Sequence, residues 1–407
     1  MQLADFRFLR SPKGQTLLAE TAVSPITPHN HLQIAQRLRQ QLSPAQAHAI
    51  LETVLLRQKA VGKFEQADKM YFLREALEQA SGEGIARYRA RRFATLQPQL
   101  VADLGCSVGG DALALAEWAT VIGVDKEAVR LAMAVENVAA YQGNGRFQPL
   151  CADLQTLPPF KVDALFFDPA RRDENGRRLF SVQQYRPPLA LIDKWREKVG
   201  ETAVKISPGV AYEELPTDAE VEFISVAGGL KEAVLWYGGL RTTAVRRATL
   251  LPGKTTLLPS ANTQHDQHSL TNSLHPLDVA VTSPKAYLYE PDAAVIRAHL
   301  VEELAVQLNA SKIHDSIAYL TADAPQATPF ARCFKIEAAF PFQLKNLRHH
   351  LRQQKIGSVT IKKRGSPLEP DKLRQQLRLR GPEHRFLFLT HTQEKPIVLI
   401  ANAHPAN

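Results

Sequence analysis

Between Gln99 and Leu240 the chain alternates two kinds of segment. "QLVADLG", "VIGVD", "DALFFD", "TAVKIS", "VEFISVA" and "EAVLWYGG" are short apolar runs rich in β-branched and aromatic residues, whereas "GDALALAEWA" and "KEAVRLAMAVENVAAY" space their apolar side chains at helical intervals. Strands that are apolar on both faces must be covered on both, so this alternation predicts an α/β fold with a doubly wound, mostly parallel sheet between helices. A sheet of that kind binds ligands at the carboxyl ends of its strands.

The residues at those ends are therefore the informative ones. Asp103 closes the first run, Asp125 the second, Asp153 in "CADL" follows the third, and Asp168 closes the fourth, so four acids fall in order within 66 residues. Asp125 is placed to accept both hydroxyls of a ribose and Asp153 to accept the N6 amine of an adenine, which together suit an adenosine-bearing ligand. After the first strand, "DLGCSVGGD" is a glycine-bearing turn leading into a helix, where Gly105 and Gly110 let the backbone approach a cofactor. Ser107 stands where a G-x-G-x-x-G turn has its middle glycine. A phosphate-binding Walker loop is excluded because Gly110 is followed by Asp111 rather than by Lys and Ser or Thr.

These motifs resemble class I S-adenosylmethionine-dependent methyltransferases over about Gln99 to Leu240. The resemblance implies a Rossmann-like, seven-stranded sheet and S-adenosyl-L-methionine as cofactor. It places Asp103, Gly105, Ser107 and Gly109 near the methionine part, Asp125 and Lys126 at the ribose, Asp153 and Leu154 around adenine, and Asp168 and Pro169 facing the acceptor. "DPARRD", "VKISPG", "LYEPDAAVIRA" and "IKKRGSPLEPDKLRQQLRLRG" further resemble a bacterial group of methyltransferases with a C-terminal THUMP-like domain.

A sulfonium is already a good leaving group, so the protein must align a nucleophile with the methyl carbon and manage one proton. Asp168 is the expected acceptor of that proton's hydrogen bond. Enzymes that methylate exocyclic amines follow such an acid with Pro-Pro and a stacking aromatic, whereas here Ala170 and Arg171 take those places. Arg171 and Arg172 instead suggest bidentate contacts to phosphate. Asp168, Lys205 and Glu232 resemble the acid, lysine and glutamate of ribose 2′-O-methyltransferases, which makes Lys205 a second catalytic candidate. Carbon-5 pyrimidine methylation needs a cysteine near the fourth strand end; Cys106 and Cys151 are read instead as small buried residues.

The flanking segments read differently. Residues 1–95 form an N-terminal helical region in which Ser43 caps a helix opened by Pro44, and a second helix runs from Asp68 through "DKMYFLREALEQAS". Residues 96–250 make the methyltransferase domain. Residues 251–330 make a linker and a small ferredoxin-like α+β domain containing the helix "PDAAVIRAHLVEELAVQLNA", and residues 331–407 a basic THUMP-like α+β domain. The formal net charge of the whole chain is +9, and between Lys345 and Arg385 twelve Lys and Arg face three acids. That concentration is the footprint of a polyanion-binding surface. Lys362, Lys363 and Arg364 are the leading contacts, and Arg374 and Arg378, four apart, are expected on one helical face. RNA, as tRNA or rRNA, is the expected partner.

Three cysteines without ligand spacing indicate neither a disulfide framework nor a metal site. The absence of an apolar signal-peptide core or spanning run points to a cytoplasmic protein. Two other classes share part of this pattern: an RNA-binding module that kept a methyltransferase-like core without catalysis, and a nicotinamide-dependent oxidoreductase, which lacks the Asp-Pro at the fourth strand.

Overall fold

The computed structural model describes residues 1–143, 145–170, 177, 179, 181–253 and 267–404. The chain divides into two units, the first built mainly from Met1–Glu220 with Ala233–Thr242, the second from Val221–Glu232 and most of the chain beyond Thr243. Among the described residues no helix is long and apolar enough to cross a membrane.

The first unit opens with helices α1 (Leu3–Arg10), α2 (Pro12–Ala22), α3 (His31–Arg39), α4 (Pro44–Ala60), α5 (Arg74–Gln79) and α6 (Glu83–Ala94). Ser43 starts α4 as its sequence dictates: its hydroxyl accepts from the Gln46 amide, the Gln46 side chain accepts from the Ser43 amide, and Ala47, Ile50, Leu51 and Val54 are buried behind them. The helix expected from Asp68 begins only at Arg74. The Asn137 side chain takes the Tyr71 backbone at both ends, accepting its N-H at 2.7 Å and donating to its carbonyl at 2.8 Å. Those two groups are then withdrawn from any helical turn.

Strands β1 (Leu100–Leu104), β2 (Thr120–Asp125), β3 (Phe147–Cys151), β4 (Ala164–Phe167), β5 (Thr202–Ile206), β6 (Glu220–Val226), β7 (Gly229–Trp236), β8 (Arg246–Leu251) and β9 (His268–Thr271) form one mixed sheet in the order β3-β2-β1-β4-β5-β7-β6-β8-β9. The first five are parallel and β7 runs antiparallel to β5. Nine strands thus stand where seven are expected, because β8 and β9 pair as a hairpin beyond β6. Helices α7 (Ala112–Leu115), α8 (Ala128–Ala140) and α9 (Leu191–Arg196) connect the early strands, and α8 buries Leu131, Met133, Ala134 and Val138. The winding direction changes between β1 and β4, which opens a crevice at their carboxyl ends.

In the second unit, β10 (Tyr287–Pro291), β11 (Ser311–Lys312), β12 (Leu320–Ala322), β13 (Ala331–Pro341), β14 (Ile356–Lys363), β15 (Glu383–His391) and β16 (Pro396–Ala403) form a sheet in the order β11-β12-β10-β13-β16-β15-β14. Strands from 251–330 and from 331–407 share it, Tyr289 pairing with Cys333. Its helices are α10 (Ala293–Arg297), α11 (Val301–Gln307), α12 (Leu344–Gln353) and α13 (Pro370–Leu377). Leu347 and Leu351 of α12 and Leu373 and Leu377 of α13 cluster with Val359, Leu387 and Val398 of the sheet.

Two helical expectations change here. The single helix expected over "PDAAVIRAHLVEELAVQLNA" is two, because His299 takes a φ of +53° between α10 and α11. Arg378 adopts the left-handed conformation just past α13, so it does not share a helical face with Arg374.

Candidate active site

The glycine turn shows why the first strand must end as it does. Gly105 has a φ of +82°, and a Cβ there would lie 3.0 Å from the Asp168 carbonyl oxygen, so the ends of β1 and β4 meet too closely for any side chain. The Gly105 and Cys106 amides both donate to the Val124 carbonyl, at 2.9 and 3.0 Å. Gly109, with φ +80°, sits against Ala134 of α8, its absent Cβ 3.1 Å from the alanine methyl. Ser107 takes a φ of +50°, and its amide donates to Asp125 Oδ2 at 3.1 Å while the Glu127 amide donates to Oδ1 at 2.8 Å. Asp125 is thereby fixed in place, and burial raises its carboxyl above the ordinary range.

Asp103 is the unusual group. Its side chain is buried at the end of β1, and among the described residues neither carboxylate oxygen has a hydrogen-bond partner. Burial pushes its carboxyl well above the ordinary range, and the nearby Asp111 and Asp168 carboxylates push the same way. Asp111 itself is paired with Arg89 of α6, whose guanidinium also donates to Ser81 Oγ at 2.9 Å and lies 5.1 Å from the Phe166 ring centre. Asp103 lines a cavity of about 650 Å³, walled also by Gly105, Ser107, Asp125, Lys126, Asp153, Leu154, Asp168 and Pro169. Of the cofactor residues named from the sequence, only Gly109 is absent from the wall; its place is behind the turn, against α8.

The wall at the end of β4 explains why a strand should run into Asp-Pro-Ala. Asp168 Oδ2 accepts from Lys205 Nζ at 2.6 Å, and the lysine side chain is 2% exposed against 23% for the aspartate. Lys205 is not part of the wall: it reaches the cavity through Asp168. Pro169 carries the chain past this pair, and Ala170 then bridges back to Arg186 through two backbone bonds of 3.0 and 3.1 Å. This brings Tyr185 and Arg186 into the wall, with the Tyr185 hydroxyl accepting from the Ser207 amide at 3.1 Å. Glu75 and Gln79 of α5 line the cavity as well. None of these four carries a motif, because each is brought in by pairing across the chain rather than by spacing along it. Arg171 and Arg172 lie outside the described residues.

The cysteines separate: Cys106 is buried in the wall, where burial raises its thiol well above the ordinary range, but Cys151 is exposed, against the expectation of a buried residue. Glu232 is buried within β7. In the second unit the basic triad is largely engaged. Lys362 pairs with Glu290, Lys363 Nζ is 2.8 Å from Glu369 Oε1, and the Arg364 guanidinium lies 5.0 Å from the Tyr319 ring centre. Arg374 is 2.7 Å from Asp371.

Comparison with known proteins agrees with this geometry. The family described as THUMP domain-like matches residues 331–403, and the family described as a domain of unknown function, DUF8688, matches residues 2–60. In Mycobacterium tuberculosis, strains CDC 1551 and H37Rv each have a protein described as an uncharacterised S-adenosylmethionine-dependent methyltransferase, 36% identical over 345 residues, covering 82% of this chain and 89% of the relative. The crystal structure of a candidate methyltransferase from Porphyromonas gingivalis W83 shares the fold with a TM-score of 0.71 at 20% identity, covering 94% of this chain and 100% of that one. Glycine turn, ordered strand-end acids and near full-length relatives converge, and the chain belongs to the S-adenosylmethionine-dependent methyltransferase family.

Proposed function

We propose that the first unit binds S-adenosylmethionine in the cavity at the ends of β1, β2 and β4 and presents Asp168 to a nucleophile of RNA. The observation that carries this reading is the contrast between two carboxylates of one cavity. Asp103 is buried without a partner and so suits a cationic group such as an amino acid's ammonium; Asp168 is already matched with Lys205 and partly exposed, which suits a neutral N-H or O-H donor. When bound, the cofactor supplies a methyl group on a sulfonium. Asp125, held by two amides, accepts from ribose hydroxyls. Lys126 flanks it, and Asp153 and Leu154 form the adenine end of the wall.

Asp168 orients the acceptor and takes its hydrogen bond, with Pro169 stiffening the backbone that carries it. Lys205 holds the carboxylate in place through the 2.6 Å contact. A base nitrogen is the acceptor that best suits a carboxylate whose lysine partner is not itself exposed to the cavity. The 2.6 Å Lys205–Asp168 contact also favours a second reading, ribose 2′-O transfer with Lys205 removing the hydroxyl proton and Glu232 as third member.

The THUMP-like match and the basic segment from Lys345 to Arg385 support RNA, in a cytoplasmic setting. In this reading residues 1–95, 96–250, 251–330 and 331–407 are helical region, catalytic domain, connecting α+β segment and RNA-binding domain, and β8–β9 extend a seven-stranded Rossmann-like sheet. Nucleoside mass spectrometry of total RNA from a deletion strain tests it: one methylated nucleoside should disappear and return with the parent gene but not with Asp168→Ala. A methylated ribose among the lost nucleosides selects the second reading, and unchanged RNA refutes the RNA substrate.

A further inference from the structure

We infer that the second unit carries a phosphate-binding pocket distinct from the methyl-transfer cavity. A hollow of about 530 Å³ opens between α10, the turn after β11 and the ends of β14 and β15, and its polar wall is made by His314, Ser316, Arg364 and His391. The Ser316 amide donates to His314 Nδ1 at 3.1 Å, and the Ser316 hydroxyl lies 3.1 Å from the same nitrogen. A nitrogen that accepts from a backbone N-H carries no proton, so the neutral ring of His314 holds its proton on Nε2 and is a donor there. His391 Nε2 is buried and has no hydrogen-bond partner among the described residues.

Arg364 supplies the charge. Its lysine neighbours Lys362 and Lys363 are each matched by a glutamate, but the Arg364 guanidinium rests on the Tyr319 ring, 5.0 Å from its centre, with no carboxylate bound to it among the described residues. Stacking fixes the plane of the guanidinium at the wall of the hollow, and a planar guanidinium suits a tetrahedral oxyanion. Asp315, the acid beside His314, is engaged by the Gln393 amide. One cation and two imidazoles around a hollow make an anion site, with Ser316 fixing the His314 ring, and the anion that matches several converging groups is a phosphate or phosphate ester.

This pocket stands independently of which nucleoside the first unit methylates. Its test is calorimetric titration of the full chain, at fixed ionic strength in chloride, with inorganic phosphate, and with one short oligoribonucleotide bearing either a 5′-phosphate or a 5′-hydroxyl. Inorganic phosphate should bind one per chain, and Arg364→Gln and His314→Ala should each weaken it about tenfold or more. S-adenosylmethionine affinity should be unchanged in both variants. Tighter binding of the 5′-phosphorylated oligonucleotide than of its 5′-hydroxyl form, lost in the variants, identifies a terminal phosphate as the source; variant-sensitive binding of inorganic phosphate alone identifies a free anion. If Arg364→Gln loses its circular dichroism spectrum, His314→Ala in the turn carries the test. The inference is overturned if no phosphate species binds, or if the variants bind as the parent does.

Discussion

Replacing Asp103 with Asn should move stability and cofactor affinity in opposite directions. The carboxylate is buried, lacks any hydrogen-bond partner and is pushed towards its neutral form by burial and by two neighbouring acids. An amide of the same shape has no proton to take up on folding, so unfolding should require about 1 kcal/mol more and the melting temperature should rise by about 2–4 °C. The cofactor loses a charged acceptor for its ammonium group, a loss of about 1.5–3 kcal/mol, or roughly 10- to 150-fold in Kd. Differential scanning fluorimetry without ligand and calorimetry with S-adenosylhomocysteine read the two halves separately. A variant that melts lower and binds as tightly as the parent would refute the assignment, because it would make Asp103 a structural acid with partners of its own.

Three further outcomes follow from the same geometry. Asp103 keeps its proton in the folded chain at pH values where the unfolded chain has released it, so its stabilising contribution is complete below the ordinary carboxyl value of about 4 and is lost as pH rises through its raised value; cofactor affinity should climb over that same window, and melting curves with and without S-adenosylhomocysteine across pH check both signs. Lys205→Met leaves Asp168 without its buried partner, and single-turnover methyl transfer should fall by about 100-fold or more while cofactor Kd stays within a few fold. Lys362→Ala strands the mostly buried Glu290 and should lower the melting temperature of the second unit, whereas the double change with Glu290→Gln should recover most of the loss in the same melting assay.

Much of the first unit was legible because its signals are local. A strand that ends in an acid, with a glycine turn after it, is written in consecutive residues, and Asp103, Asp125, Asp153 and Asp168 all reach the one cavity that their order suggests. Signals carried by distant pairs were not legible. Asn137 cancels a helix 66 residues upstream by holding the Tyr71 backbone, and Lys362 finds its ion-pair partner Glu290 across 72 residues. Tyr185 and Arg186 enter the cavity wall through a two-bond bridge to Ala170 that no periodicity announces. His299 and Arg378 take left-handed backbone at places where their neighbours' helical spacing continues, so periodicity alone extends both helices too far. Arg364, by contrast, was singled out for its charge, and the fold gives it a setting its lysine neighbours lack.

Adenosine lying across the strand ends should place its ribose at Asp125, and a binding titration of S-adenosylhomocysteine into the parent and Asp125→Ala proteins tests this most directly. One ligand should bind per parent chain, and the alanine variant, deprived of the carboxylate that two amides hold in place, should bind more weakly by about 1.5–3 kcal/mol with its melting profile otherwise intact. Equal affinity in the two proteins, or no binding by the parent, would contradict it.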